Sequence, residues 1–211
     1  MRIIPFIYNE VFELAANGYL LIDDNNDCVM VDPGKDNNDV VNYIKQNDLT
    51  LKGILLTHGH FDHIAGVKCL LKHFSVPIYI HENDKEFLKD PHLNCSDRFS
   101  RKDIVIDTEP VAIKDGEILK ILNDDIKVIH TPFHTRGSAC FYLAKENVLI
   151  SGDTLFLMSI GRTDFPTACP ELVDSSLAKL MSLKDETKVY PGHGPETTIG
   201  FERKQNPFVK R

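Results

Sequence analysis

The sequence predicts an α/β fold in one domain spanning residues 1–211. Three observations carry that expectation. In the first third, short apolar runs alternate with segments of helical period. The second half repeats the same order. No linker, short repeat or low-complexity stretch separates the halves. A chain of 211 residues is long enough for one large core and short for two.

The elements follow in order. Gly18 to Asp23 and Cys28 to Val31 are apolar runs around a turn rich in Asp and Asn, which suits a hairpin. VDPG, residues 31–34, ends the second strand. Asp36 or Asn37 can cap a helix through Gln46, with Val40, Val41 and Ile44 as its buried stripe. Gly53 to Thr57 is a short strand. Ile64, Val67, Leu70, Leu71 and Phe74 then fall at helical spacing, and Ile78 to Ile80 is another strand. In the second half, strands are expected at 117–122, 126–130, 140–144 and 147–151. Pro170, a favoured first-turn residue, opens a helix burying Leu172, Val173, Leu177, Leu180 and Met181. Lys188 to Tyr190 is the last strand. Residues 90–110 show little periodicity and read either as a lid or substrate loop or as a plain surface excursion.

Composition narrows the function classes. A formal net charge of -7 argues against a nucleic-acid partner, which calls for a basic stripe. No run approaches the roughly 20 apolar residues of a membrane span. MRIIPFIYNE, residues 1–10, lacks the long apolar stretch of an export peptide. The five cysteines (28, 69, 95, 140 and 169) are scattered and form no CxxC pair, which suits free thiols in the cytoplasm. Cys69 and Cys140 sit in apolar segments and read as core residues.

The chemistry lies at the ends of the strands. VMVDPG delivers Asp32, VIHTPFH delivers His134, VLISGD delivers Asp153 and VYPGHG delivers His193. ILLTHGHFDH delivers His58, His60, Asp62 and His63. Apolar strands running into His or Asp at Gly- or Pro-containing turns stabilise a core poorly, but they hold ligands on rigid supports. Imidazole and carboxylate suit zinc, iron and similar divalent ions. Residues 58 and 60 can face one way off a strand end, Asp62 and His63 open the next helix on another heading, and Gly59 permits a tight turn between them. His73 and His92 read as solvated, and His81 and His130 as packing or supporting residues.

HGHFDH resembles the H-x-H-x-D-H signature of the metallo-β-lactamase fold superfamily, and His134, Asp153 and His193 resemble its three later ligands in order and spacing. The resemblance implies an αββα four-layer sandwich, two mixed sheets with helices outside. It implies that His58, His60 and His134 hold one divalent metal, that Asp62, His63 and His193 hold a second, and that Asp153 bridges them. It places Asp32 behind the ligands as a support. Zinc is the expected metal, with iron or manganese as alternatives. Position 153 bears on the subfamily, because zinc β-lactamases commonly carry Cys there or lack the bridging acid. Antibiotic hydrolysis is therefore not expected.

SGDTLF, GRTDF and PGHGPETTIGFE resemble the short bacterial form of the glyoxalase II group, which hydrolyses hydroxyacylglutathione thioesters such as S-lactoylglutathione. Full-length glyoxalase II carries an extra C-terminal helical domain, whereas this sequence ends soon after PGHG, and it reads TPFHTRGS where the group has TPGHTPGS. GRTDF also occurs in mono-iron persulfide dioxygenases of the same fold, which leaves that activity as the second reading. A metal-bound hydroxide is the expected nucleophile, since a divalent metal lowers the pKa of water from about 15.7 to about 7. Catalysis is assigned to Asp62, His63 and Asp153. Ser138 and Cys140 follow His134 without a triad signature and read as structural. Arg136, Arg162, Arg203 and Lys204 are candidates for holding the carboxylates of a thiol carrier, with Arg162 foremost. The expected partner is a small-molecule thioester, with no nucleic acid or membrane, and the expected state is a monomer or small homo-oligomer.

Overall fold

The computed structural model describes residues 1–8 and 14–209. The first of two six-stranded sheets takes β1 (Arg2–Phe6), β2 (Gly18–Ile22), β3 (Asp27–Val31), β4 (Thr50–Leu56), β5 (Ile78–His81) and β6 (Val111–Ile113), side by side in chain order. β1 to β3 are antiparallel, and β3 to β6 run parallel. The second half supplies β7 (Ile118–Leu119), β8 (Ile126–His130), β9 (Ala139–Leu143) and β10 (Val148–Gly152). β11 (Leu155–Phe156) and β12 (Ser159–Ile160) form a separate small hairpin. β13 (Lys188–Pro191) and β14 (Thr197–Thr198) complete the second sheet, in the order β14-β13-β10-β9-β8-β7. The helices are α1 (Asp39–Gln46), α2 (Phe61–Ile64), α3 (Val67–His73), α4 (Ser96–Phe99), α5 (Val173–Met181) and α6 (Ile199–Gln205).

Side-chain alternation along the strands builds four layers. On β2, Leu20 and Ile22 pack with Val40, Val41 and Ile44 of α1 and with Val67 and Leu70 of α3. Tyr19 and Leu21, pointing the other way, pack with Val128, Phe141 and Ile150 of the second sheet. On β9, Cys140 and Tyr142 turn outward to Leu177 and Leu180 of α5 and Ile199 of α6. The result is the expected αββα sandwich. The central strands are buried on both faces, which is why they read as continuous apolar runs.

The predicted strand at 126–130 coincides with β8, and those at 140–144, 147–151 and 188–190 match β9, β10 and β13 to within a residue. The predicted strand at 117–122 is only the two residues of β7. The expected helix around Ile64 to Phe74 is broken into α2 and α3. At the break, Gly66 donates its N–H to Pro33 O at 2.7 Å, and a Cβ there would lie 2.8 Å from that same carbonyl. Helix α1 starts two residues later than a cap at Asp36 implies and one later than a cap at Asn37 implies, although Asn37 Oδ1 accepts from Asp39 N at 3.1 Å. Pro170 opens a 3-10 turn that leads into α5, of which Ser176, Leu177 and Leu180 are buried. Leu172, Val173 and Met181 are only partly covered. The segment 90–110 contains α4 and is pinned from within by Asn94, whose Nδ2 donates to Phe87 O and Ile104 O. No helix among the described residues is long and apolar enough to cross a membrane.

Candidate metal centre

Five strand ends deliver the predicted residues to one edge of the sandwich. β3 runs into Asp32, β4 into His58 and His60, β8 into His134, β10 into Asp153 and β13 into His193. Asp62 and His63 lie in α2, directly behind the β4 loop. This is the carboxyl end of the parallel strands, where open α/β sheets commonly place their sites.

His58 Nε2 lies 3.1 Å from His60 Nδ1, which in turn lies 3.0 Å from His134 Nε2. The other ring nitrogens decide what those three atoms carry. His134 Nδ1 donates to Arg162 O at 2.8 Å. Thr57 Oγ1 donates to Asp32 Oδ2 at 2.6 Å, so at 3.2 Å it accepts from His58 Nδ1. Both Nε2 atoms are thereby left as lone pairs, and His60 Nδ1 can donate to only one of them. Added protons do not resolve the crowding. Burial, reinforced by the neighbouring histidines, holds His58 well below its ordinary pKa and brings His60 down to about 3. Converging imidazole lone pairs in a buried place fit a metal cation.

The second group is built around carboxylates. His193 Nε2 is 3.1 Å from Asp62 Oδ2, and His63 Nε2 is 4.0 Å from the same oxygen. Asp153 reaches both groups, with Oδ1 3.3 Å from His63 Nε2 and Oδ2 3.4 Å from His134 Nε2. His63 Nε2 and Asp153 Oδ1 are both buried without a hydrogen-bond partner. Burial opposes charge on His63, yet Asp153, Asp32 and Asp62 outweigh it and hold the imidazole well above its ordinary pKa. Burial likewise opposes ionised Asp153, but His63 and the histidines behind it keep that carboxyl below the usual range. Three ligand sets emerge: His58 with His60 and His134, His58 with His63 and Asp153, and Asp62 with His63 and His193. The residues present therefore fit divalent metal ions, and Asp153 lies within reach of both groups.

Asp32 supports rather than ligates. Its Oδ1 accepts from Thr57 N at 2.8 Å, and its Oδ2 accepts from Thr57 Oγ1 and, at 2.8 Å, from His63 Nδ1. That last bond leaves His63 Nε2 facing the site. Asp32 stands at φ 48°, a region Asp tolerates better than most residues.

Other supports lay outside the sequence reading. Asp84 is fully buried and joins the two histidine loops. Its Oδ2 accepts from Gly59 N at 3.1 Å and Thr135 Oγ1 at 2.7 Å, and its Oδ1 accepts from Gly137 N at 2.8 Å. Burial pushes its carboxyl up to about 6 against those hydrogen bonds. The available signal was a polar residue just past an apolar strand, without the Gly or Pro that marked the others. Asn17 and Tyr19 hold the His193 loop by donating to Pro191 O at 3.1 and 2.7 Å, and nothing in their neighbourhood announced it. Gly59 has a different reason from the expected one. Its φ is not in the left-handed region, but a Cβ there would meet the Phe87 ring, with Cγ at 2.9 Å.

The cationic candidates do not gather at the site. Arg136 donates to Asn83 O and Glu86, and Arg203 to Met181 O and Leu183 O while pairing with Asp185. Lys204 sits on α6 beside Arg203 and away from the cleft. Arg162 does line the cleft, but Asp164 holds its fork bidentately, both bonds at 2.7 Å, and it lies 4.3 Å from the Phe165 centroid. Ser138 bonds within its own turn, and Cys140 is a buried β9 residue. His73 and His92 are exposed, and His81 stacks on His130 at 3.8 Å.

Residues 12–193 match the metallo-beta-lactamase superfamily, a stretch that holds every candidate ligand described above. The chain belongs to that superfamily. Within it, the chain is 36% identical to the hydroxyacylglutathione hydrolase GloC of Haemophilus influenzae, over 94% of this chain and 95% of that protein. The crystal structure of BLEG-1, a B3 metallo-beta-lactamase, superposes with a TM-score of 0.92 and 38% identity over the full length of both chains. TTHA1623, solved in a di-iron-bound form, matches with a TM-score of 0.84 and 33% identity over 98% of this chain and all of that one. The metallo-beta-lactamase membership makes the protein a metal-dependent hydrolase by family.

Proposed function

We propose that the protein is a binuclear hydrolase of hydroxyacyl thioesters of the S-lactoylglutathione type. The observation that carries this reading is the complete second ligand set, Asp62, His63 and His193, joined to the three-histidine set through Asp153. The 36% identity to a hydroxyacylglutathione hydrolase over nearly the whole chain supports the substrate class. Bound divalent ions, zinc in this reading, supply Lewis acidity that polarises the carbonyl and makes water acidic enough to attack near neutral pH.

The residues of the chain do the rest. Asp153 ties the two ligand sets at a fixed separation. Asp62, with 13% of its side chain exposed, borders the cleft; its Oδ2 belongs to the second ligand set, and its other carboxylate oxygen is the one left to accept the proton of an attacking water. His63 is held by Asp32, so its Nε2 keeps one heading. Phe165 lies over His60 and His134, with ring centroids 4.9 and 5.7 Å away, and with Phe156 and Leu14 it gives the cleft apolar walls that exclude bulk water. A thiolate leaves readily, its conjugate acid having a pKa of about 8.5, so no protein acid is required to protonate it.

The second reading, a mono-iron persulfide dioxygenase, draws on GRTDF at 161–165. The likeness to BLEG-1 adds β-lactam hydrolysis as a third arm, against which Asp153 stands where zinc β-lactamases commonly have Cys. Thiol release from S-lactoylglutathione, oxygen uptake with glutathione persulfide and opening of a chromogenic β-lactam separate the three. The proposal expects the first alone. Oxygen uptake by the iron-loaded protein without any thiol release overturns it.

A further inference from the structure

Beside the metal cleft lies a second cavity of about 450 Å³, larger than the roughly 300 Å³ of the cleft itself. The two adjoin each other, with Leu14, Phe61 and Phe99 lining both. Phe61 and Phe99 stack at 6.3 Å with an interplanar angle of 21°, and Phe99 meets the cleft residue Phe165 edge-on at 6.2 Å. Phe99 and Leu14 remain 48% and 65% exposed, an apolar floor open to a ligand. At the far end the lining turns polar and basic among the described residues, with Lys35, Arg101 and Lys102 beside one acid, Asp36.

Lys102 pairs with Asp36 at 2.9 Å, and the Lys35 ammonium lies 5.1 Å from the Tyr8 ring centroid. Arg101 is exposed and makes no hydrogen bond or ion pair among the described residues. The arginines expected from the sequence to hold substrate carboxylates are engaged elsewhere, Arg162 by Asp164, Arg136 by Glu86 and Arg203 by Asp185. A hydroxyacyl group alone fills neither cavity. A site of this combined extent suits a larger ligand, apolar in its middle and anionic at one end.

We propose that this second cavity is the carrier subsite: the thiol carrier runs from the metal cleft over Phe61 and Phe99, and its terminal carboxylate is received by Arg101, with Lys35 and Lys102 adding positive potential. A guanidinium pairs bidentately with a carboxylate, and exposed Arg101 keeps both prongs available. The inference rests on the thioester-hydrolase reading for what happens at the reacting end, but binding at the anionic end is measurable without turnover.

The test is calorimetric titration of the metal-loaded protein with S-hexylglutathione, a thioether that cannot be hydrolysed. Arg101→Glu is expected to weaken binding by roughly tenfold, and Arg101→Lys by less than about threefold, since charge is kept and only the fork is lost. KM for a lactoyl thioester of uncharged N-acetylcysteamine should stay within about twofold in both variants, because a neutral carrier offers no anion to pair. A hexyl thioether of coenzyme A, titrated in parallel, distinguishes a phosphate end from a carboxylate end, and the proposal expects the glutathione probe to show the larger loss. Unchanged S-hexylglutathione binding in Arg101→Glu overturns the subsite and leaves the hydrolase reading standing. Weakened binding with no thioester cleaved by any form retains the subsite and removes the hydrolase reading.

Discussion

Asp32 is buried and outside the cleft lining, yet it fixes three groups behind the candidate metal centre: Thr57 N, Thr57 Oγ1 and His63 Nδ1. Asp32→Ala leaves His63 free to rotate and is expected to lower affinity for the second ion about 10–100-fold, as for other groups that orient metal ligands. Competition with a metal indicator reads this directly, and unchanged affinity would mean that the cluster alone holds His63. Asp32 was legible because VMVDPG shares the strand-then-acid pattern of the ligands. Asp84 was not, because a buried carboxylate satisfied by two backbone N–H groups and a hydroxyl shows its purpose only once the chain is folded. A second residue-scale prediction concerns His81, which accepts from Asn83 N through Nδ1 and stacks on His130. Burial, with His130 beside it and Glu82 and Asp115 opposing, brings its pKa down to about 4 from 6.5. Between those values the unfolded chain binds more protons than the folded one, so stability rises with pH across that window and is lost as pH falls through it. His81→Phe should flatten the slope of denaturation midpoint against pH between 4 and 6.5. An unchanged slope would assign the dependence to other groups.

Among the elements, the loop from β4 into α2 and the 3-10 turn at Glu82–Leu88 determine each other. Gly59 packs against Phe87, and Asp84 from the same turn bonds Gly59 N. Gly59→Ala is expected to displace His58 and His60 together, cost about 1–3 kcal/mol by overpacking, and reduce metal content at the three-histidine set. Phe87→Ala opens room for the new methyl, so the double variant should regain metal relative to Gly59→Ala alone. Metal analysis of the four proteins checks this, and simple additivity would deny the contact. Sequence periodicity read the central strands well, because burial on both faces makes them continuous apolar runs. It missed β1, a short apolar run interrupted by Pro5. That strand lies at the sheet edge, where proline costs no shared ladder on its open side. It also missed β6, β14 and the β11–β12 hairpin, which are too short to carry a period. The α2–α3 break escaped notice because Gly66 answers to the carbonyls of Pro33 and Lys35, more than thirty residues earlier in the chain.

Three apolar layers hold the molecule independently of its metal edge: helices on the first sheet, sheet on sheet, and helices on the second sheet. Chelation is therefore expected to leave the far-UV circular dichroism intact while lowering the melting temperature by several degrees, since an ion bound only by the folded state adds stability by mass action. Loss of secondary structure at 25 °C on chelation would show that the ions hold the fold itself. The layer order was legible in outline, from the repeated strand and helix grammar and from the HGHFDH resemblance. The cavity beside the cleft was not, because it joins Leu14, Phe61 and Phe99 from three distant segments. The central claim is that both ligand sets serve one thioester hydrolysis. Its most direct measurement is thiol release from S-lactoylglutathione as zinc is added stepwise to metal-stripped protein. The account predicts activity that keeps rising until two ions per chain are bound. Full activity at one ion, with the second equivalent adding nothing, would contradict it.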